Sequence, residues 1–203
     1  MTLLELADKY LTDKGSYFFD HKNQVGHNYA TLYDTFFSSL RSEPISLFEI
    51  GIAKGSSLLM WSEYFPYAKI IGLDIDTTLI DKSRPLGVEG GGWEGRNNIT
   101  IKQGSQADPE CLNKIVSENG LFDIIIDDGS HKTEHQLFSF KHLYNAVKEN
   151  GYYIIEDIHC DKSEGSFYNT ISKNMLQDTF NIKFSWCGLF YTNPNSLTCI
   201  IKR

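Results

Sequence analysis

The chain has 203 residues, of which 41% are hydrophobic and 22% charged, and a formal net charge of −7. That length fits a single domain with a substantial core. An acidic chain is poorly suited to neutralising nucleic-acid phosphates or an anionic membrane, so neither is expected as a partner. The four cysteines, Cys111, Cys160, Cys187 and Cys199, form no C-x-x-C pair. That spacing argues against a zinc or redox motif and leaves free thiols in a reducing cytoplasm as the expectation. No apolar run reaches the ~18 residues of a membrane span, and no basic stretch leading into an apolar core marks a signal peptide.

Residues 1–41 read as an N-terminal helical extension with a polar loop around 13–26. The extension reads equally as surface packing or as a lid, with Lys14, His27, Tyr29 and Tyr33 as the residues that would cover a site. Apolar, β-branched-rich runs follow at 45–50, 69–74, 98–102, 122–127 and 152–156. Such runs suit strands covered on both faces. Helical patterns separate them: 56–65, then 109–118 behind Asp108 as N-cap, then 134–147 with Gly151 as its stop. The alternation predicts βαβ units and a parallel sheet. A further helix is expected at 163–178, then strands at 182–186 and 197–201 as a terminal antiparallel pair. The fold class expected is therefore α/β and Rossmann-like: a mostly parallel seven-stranded sheet with helices on both faces, in one domain spanning 1–203. The glycine-rich segment 84–97 reads as a connector or, alternatively, as a flap over a substrate.

The end of the first strand carries Glu49-Ile50-Gly51-Ile52-Ala53-Lys54-Gly55-Ser56-Ser57. Glycines there permit a tight turn and the close approach of a ligand, and ligands of open α/β sheets bind beyond the carboxyl ends of the strands. The spacing is G-x-x-x-G, not the G-x-G-x-x-G of dinucleotide oxidoreductases, whose pyrophosphate needs amides at a helix N-terminus. Asp74, followed by Ile75, ends the second strand, where a carboxylate can accept ribose hydroxyls. Asp74 and Asp76 also read as helix caps. Gly104, Ser105 and Gln106 follow the third strand, where adenine would lie, and Asp127 ends the fourth. Together they imply a site for S-adenosylmethionine.

Strand four runs into Asp127-Asp128-Gly129-Ser130-His131, and strand five into Glu156-Asp157. Carboxylates from adjacent strand ends repel one another unless a cation or protons intervene. Hard oxygen donors favour Mg2+. His131 is the right residue type to take a proton near neutrality. Separate helix caps and a satisfied histidine are the bland alternative. His135 reads as a packing or supporting residue, and His159 stays open.

The segments ADKYLTDKGS (7–16), HNYATLYDTFFSSLR (27–41), FEIGIAKGSSLLMWSEYFP (48–66), IIGLDID (70–76), QGSQAD (103–108), IIDDGSHKTEHQLFSF (125–140) and YYIIEDIH (152–159) resemble the metal-dependent sugar O-methyltransferases of macrolide and tetracenomycin tailoring. The wider group includes cephalosporin hydroxylase-like proteins. The resemblance implies Mg2+ ligands at Asp128, Glu156 and Asp157, a base at His131, and cofactor contacts at Glu49, Gly51, Ser56, Asp74, Ser105, Gln106 and Asp127. Gly55, Ser57, Ile75 and Gly104, which flank those contacts, are expected to belong to the same cofactor-binding set. The acceptor implied is a hydroxyl of a glycosyl unit on a small molecule or glycan. A catechol-type O-methyltransferase and a cofactor-binding module without chemistry are the alternatives, and a homo-oligomer is left open. The usual G-D-Q loop is Gly104-Ser105-Gln106 here, and His159-Cys160-Asp161 stands where Thr-Ser-Tyr is usual. The tailoring enzymes also carry an N-terminal domain with no counterpart in these residues.

Overall fold

The computed structural model describes residues 1–18, 24–158, 181–186 and 197–203. The expected helix at 163–178, His159, Cys160 and Cys187 lie outside them. Among the described residues no helix is long and apolar enough to cross a membrane.

In chain order the elements are α1 (Leu3–Lys9), a short antiparallel ribbon of β1 (Tyr17–Phe18) and β2 (Gln24–Val25), α2 (Tyr29–Phe37), β3 (Ser46–Ile50) and α3 (Ser56–Tyr64). Then come β4 (Lys69–Asp74), β5 (Ile99–Gln103), α4 (Pro109–Asn119), β6 (Phe122–Asp127), α5 (Thr133–Leu143), β7 (Val147–Ile155), β8 (Asn181–Trp186) and β9 (Leu197–Lys202). The sheet has seven strands in the order β5-β4-β3-β6-β7-β9-β8. The first five are parallel, and β9 pairs antiparallel with both β7 and β8. The expected architecture is therefore present. The chain order of the strands reverses at β3, with β4 on one side and β6 on the other. A crevice opens at the carboxyl ends of such a switch point.

Each face of the sheet has its own apolar layer. The segment before β3 helps build one of them. Leu3, Leu6, Ala7, Tyr29, Tyr33 and Phe37 are buried in the same cluster as Trp61 and Phe65 of the α3 side. Tyr29, Tyr33 and Phe37 recur every fourth residue and so share one face of α2. Their rings lie 5.9 and 5.7 Å apart in sequence.

Two expected boundaries move. The helix expected at 134–147 ends at Leu143, and a 3-10 turn, Tyr144–Ala146, leads straight into β7. Val147 is buried because it pairs with Phe122 where β6 and β7 begin, not because it extends the helical stripe. Gly151 is not a helix stop. It lies inside β7, where a Cβ would sit 2.6 Å from the Asp123 carbonyl oxygen. The register between β6 and β7 shifts there, so β7 begins five residues earlier than its apolar run suggests.

Glu63 ties three segments together. Lys9 Nζ and Arg96 Nη2 lie 2.7 and 2.8 Å from its carboxylate, and the Tyr10 hydroxyl donates to it. Hydrogen bonds from Lys9, Tyr10 and Arg96 outweigh burial and hold its carboxyl at about 2. A depressed carboxyl contributes stability that is present above its unfolded value, ~4.3, and lost as pH falls towards 2. Glu63→Gln is therefore expected to cost about 1 kcal/mol at pH 7 after solvent screening, lowering Tm by roughly 2–4 °C. Calorimetric melting at several pH values checks this: the gap to the unsubstituted chain should narrow as pH drops below about 4.

Candidate active site

The turn after β3 is built from left-handed backbone. Gly51, Ala53 and Gly55 take φ of +80°, +42° and +88°. A Cβ on Gly51 would meet the Asp128 carbonyl oxygen at 2.0 Å, and one on Gly55 would meet the Trp93 ring at 2.5 Å. Asp74 holds the turn: its Oδ2 accepts from the amides of Ile52 and Ala53 at 2.8 and 2.9 Å. Asp76 is the residue that caps a helix, accepting from Thr78 N at 2.9 Å ahead of the 3-10 turn Thr77–Leu79.

Two cavities flank this turn and share Gly51, Asp74 and Gly129. The first is walled by Leu11–Lys14, Ser56, Ser57, Glu89, Asp128, His131 and Asp157. The second is walled by Ile75, Gly104, Ser105, Gln106, Ser130 and His135. Of the cofactor contacts expected from sequence, Glu49, Gly55 and Asp127 line neither cavity. Gly55 seats Trp93, and Glu49 lies beneath the turn accepting the Ser57 hydroxyl at 2.8 Å. Asp127 is fully buried, accepting from Gln106 Nε2 at 3.0 Å and from the Ser139 hydroxyl. Burial pushes its carboxyl up to about 6 against the hydrogen bonds of Ser139, Gly129 and Gln106. Gln106 in turn accepts from Ser130 N at 2.7 Å. Asp127 therefore acts on the second cavity through Gln106. His135 pairs with Ser130 Oγ at 2.8 Å on the same wall, as a supporting residue would.

The glycine-rich segment is a wall rather than a loose connector. Gly90 N donates to Ser56 Oγ at 2.9 Å, Lys54 pairs with Glu89 at 2.6 Å, and Trp93 Nε1 donates to Gly90 O at 2.9 Å.

The carboxyl ends of β6 and β7 bring Asp128, His131 and Asp157 together, with one donor atom from each within 4.8 Å of the others. His131 Nε2 lies 3.8 Å from Asp157 Oδ2. Glu156, expected as the third carboxylate ligand, is not in this group. Its Oε2 lies 2.8 Å from Lys14 Nζ and its Oε1 accepts the Tyr33 hydroxyl at 2.8 Å. The reason is that both of its buried oxygens are already taken by buried donors, the Lys14 ammonium and the Tyr33 hydroxyl, as a buried carboxylate requires. Lys14 also contacts Asp128 Oδ2. Tyr29 donates to Asp157 Oδ1 at 2.7 Å, and His27 Nδ1 lies 3.4 Å from the same oxygen. The four N-terminal residues singled out in sequence thus contact the carboxylates of Glu156 and Asp157. Gln136, whose Nε2 donates to Glu156 O at 3.0 Å, and Ser139 went unremarked in sequence. Their signal is two polar residues three apart on the buried stripe of α5.

Burial raises Glu49, Asp128 and Glu156, the last to about 8, although Lys14 pulls each of them down. Burial lowers Lys14, but Asp128, Glu156 and Glu49 outweigh it and raise the ammonium well above its ordinary value. Three carboxylates, Glu49, Asp128 and Glu156, surround one lysine. Carboxyls so crowded and buried resist ionising together unless a further cation joins them, and the hard oxygen donors at the cavity wall fit a divalent cation such as Mg2+. Backbone strain gathers in the same place. Leu11, Asn28, Ala53, His131 and Asp157 all have positive φ, and among the described non-glycine residues only Asn150 shares that property elsewhere. Strain of this kind persists where the surroundings over-determine it.

No family model matches the chain. It is 37% identical over 161 residues to an 8-demethyl-8-(2-methoxy-alpha-L-rhamnosyl)-tetracenomycin-C 3'-O-methyltransferase of Streptomyces olivaceus, covering 75% of this chain and 36% of the relative. It is 38% identical over 164 residues to a demethylmacrocin O-methyltransferase of Streptomyces fradiae, covering 77% and 36%. The MycE methyltransferase from the mycinamycin biosynthetic pathway, solved in complex with Mg, SAH and mycinamycin VI, superposes with a TM-score of 0.73 at 25% identity, covering 100% of this chain and 53% of that one. The chain spans 36% of the length of the two curated relatives it matches. Over that span its sequence is similar to the sugar O-methyltransferases of macrolide and tetracenomycin tailoring, and its fold is that of the Rossmann-like methyltransferases.

Proposed function

We propose that the chain transfers a methyl group from S-adenosylmethionine to a hydroxyl of a glycosyl unit, with Mg2+ as metal cofactor and His131 as general base. The observation that carries this reading is the placement of Asp128, His131 and Asp157 on the same cavity wall as the Gly51–Ser57 turn. When bound, S-adenosylmethionine supplies an electrophilic methyl, and Mg2+ supplies the Lewis acidity that makes an acceptor hydroxyl acidic. The residues do the rest. Gly51, Ser56, Ser57 and Asp74 form the wall for the methionine and ribose portions, and Ile75, Gly104, Ser105 and Gln106 that for adenine. Asp128 and Asp157 hold the cation, with Glu156 as the carboxylate behind them. His131 is the more exposed of the pair, 33% against 16% for Asp157. Its Nε2 takes the hydroxyl proton, and Asp157 stabilises the imidazolium that results. Alignment and electrostatics supply most of the rate enhancement.

Two measurements test the reading. Calorimetry should show binding of S-adenosylmethionine and none of NAD+; the reverse pattern would reject it. Transfer of labelled methyl to glycosylated acceptors, mycinamicin VI among them, should stop in excess chelator and return with Mg2+. In the same assay His131→Ala should keep cofactor binding while turnover falls about 10²–10⁴-fold. Full turnover would remove His131 as the base.

A further inference from the structure

The carboxylate cluster contains its own cation. Lys14 Nζ bridges Asp128 Oδ2 and Glu156 Oε2, with its side chain 1% exposed. Both carboxylates belong to the set on which the metal-dependent reading rests. An ammonium and a divalent ion cannot share those oxygens without strong repulsion in so buried a place.

One atom shows where the ammonium can go. Glu49 Oε1 is buried and accepts no hydrogen bond among the described residues. It faces Lys14 Nζ at 3.6 Å, while Glu49 Oε2 is already held by Ser57 at 2.8 Å. Buried carboxylate oxygens lacking a donor are rare and costly. Lysine carries rotatable donors on a flexible stem. Its backbone is fixed, since Lys14 O accepts Ala30 N at 2.9 Å, so a small side-chain shift suffices.

We propose that Lys14 is a resident counter-cation that yields to the metal: it bridges Asp128 and Glu156 in the metal-free chain and moves onto Glu49 when a divalent ion arrives. The inference rests on the metal-dependent reading above. Metal binding is then an exchange of cations, and the carboxylates never face one another uncompensated. Glu49 is a positioning residue for Lys14.

Mn2+ alone is the probe, titrated into the full chain and followed by electron paramagnetic resonance, with melting curves alongside. Lys14→Met removes the competitor and is expected to bind Mn2+ on the order of tenfold more tightly, with a lower metal-free Tm. Glu49→Gln removes the charged landing place and is expected to bind on the order of tenfold more weakly. The opposite signs are the signature. A lysine that merely supported the fold would weaken Mn2+ binding in both variants, and that result overturns the proposal. Should Lys14→Met fail to fold, Lys14→Gln takes its place, and weaker Mn2+ binding there overturns the proposal, as does an unchanged affinity in Glu49→Gln. If the unsubstituted chain binds no Mn2+, the metal-dependent reading itself fails, whatever the variants do.

Discussion

Asp128→Asn is expected to abolish measurable divalent-ion binding and to lower methyl transfer by more than about 100-fold. Changing the partners of metal ligands typically costs 10–100-fold, and the loss of a ligand's charge costs more. The amide keeps the size of the carboxylate, so packing survives. What disappears is one of the two carboxylates that meet His131, together with the second contact of Lys14. Cofactor binding should change little, because the Gly51–Ser57 turn and Asp74 stay in place. Calorimetry with Mn2+ and with S-adenosylmethionine, alongside the labelled-methyl assay, separates the two effects. A variant with unchanged transfer would exclude Asp128 from the reaction.

Gly51→Ala should be among the most damaging methyl additions at the described glycines. The new Cβ would lie 2.0 Å from the Asp128 carbonyl oxygen, 2.6 Å from its carbon and 2.7 Å from Gly129 Cα. All three are backbone atoms of the adjacent strand end, so no side chain can swing away. The φ of +80° adds its own penalty. The expected cost is about 3 kcal/mol or more, a Tm drop of roughly 6–12 °C, with S-adenosylmethionine affinity falling at least about tenfold. Gly87→Ala is the control. Its φ of +91° is similar, yet nothing lies within 4 Å of the added atom. It should cost only about 1 kcal/mol and leave cofactor binding intact. Equal losses in both variants would mean that the φ penalty, not the approach of β3 to β6, decides the effect at Gly51.

The sheet was legible because its signals are local. Each parallel strand is a short apolar run ending on a polar loop, and Asp74, Gln106 and Asp128 fall at those ends. The end of α5 was misplaced because Leu143 and Val147 satisfy helical spacing while Val147 is buried by a strand partner, Phe122. The direction of Glu156 was illegible for a different reason. Sequence places it at a strand end beside Asp157, and nothing local says that a lysine far upstream will claim it. Glu49 and Asp127 looked like cavity residues for the same reason: a strand-end position does not reveal which side of the wall a side chain occupies.

The Lys14–Glu156 pair joins residues 142 positions apart. During synthesis the N-terminal segment leaves the ribosome long before its partner exists. Until Glu156 emerges, the Lys14 ammonium lacks that partner and stays hydrated. Closing so long a loop costs entropy that grows only with the logarithm of its length, but contacts of such separation slow folding. The first helices can pack on α3 early, through Glu63 and Trp61, but the carboxylate cluster around Lys14 is completed only once all five parallel strands have been made.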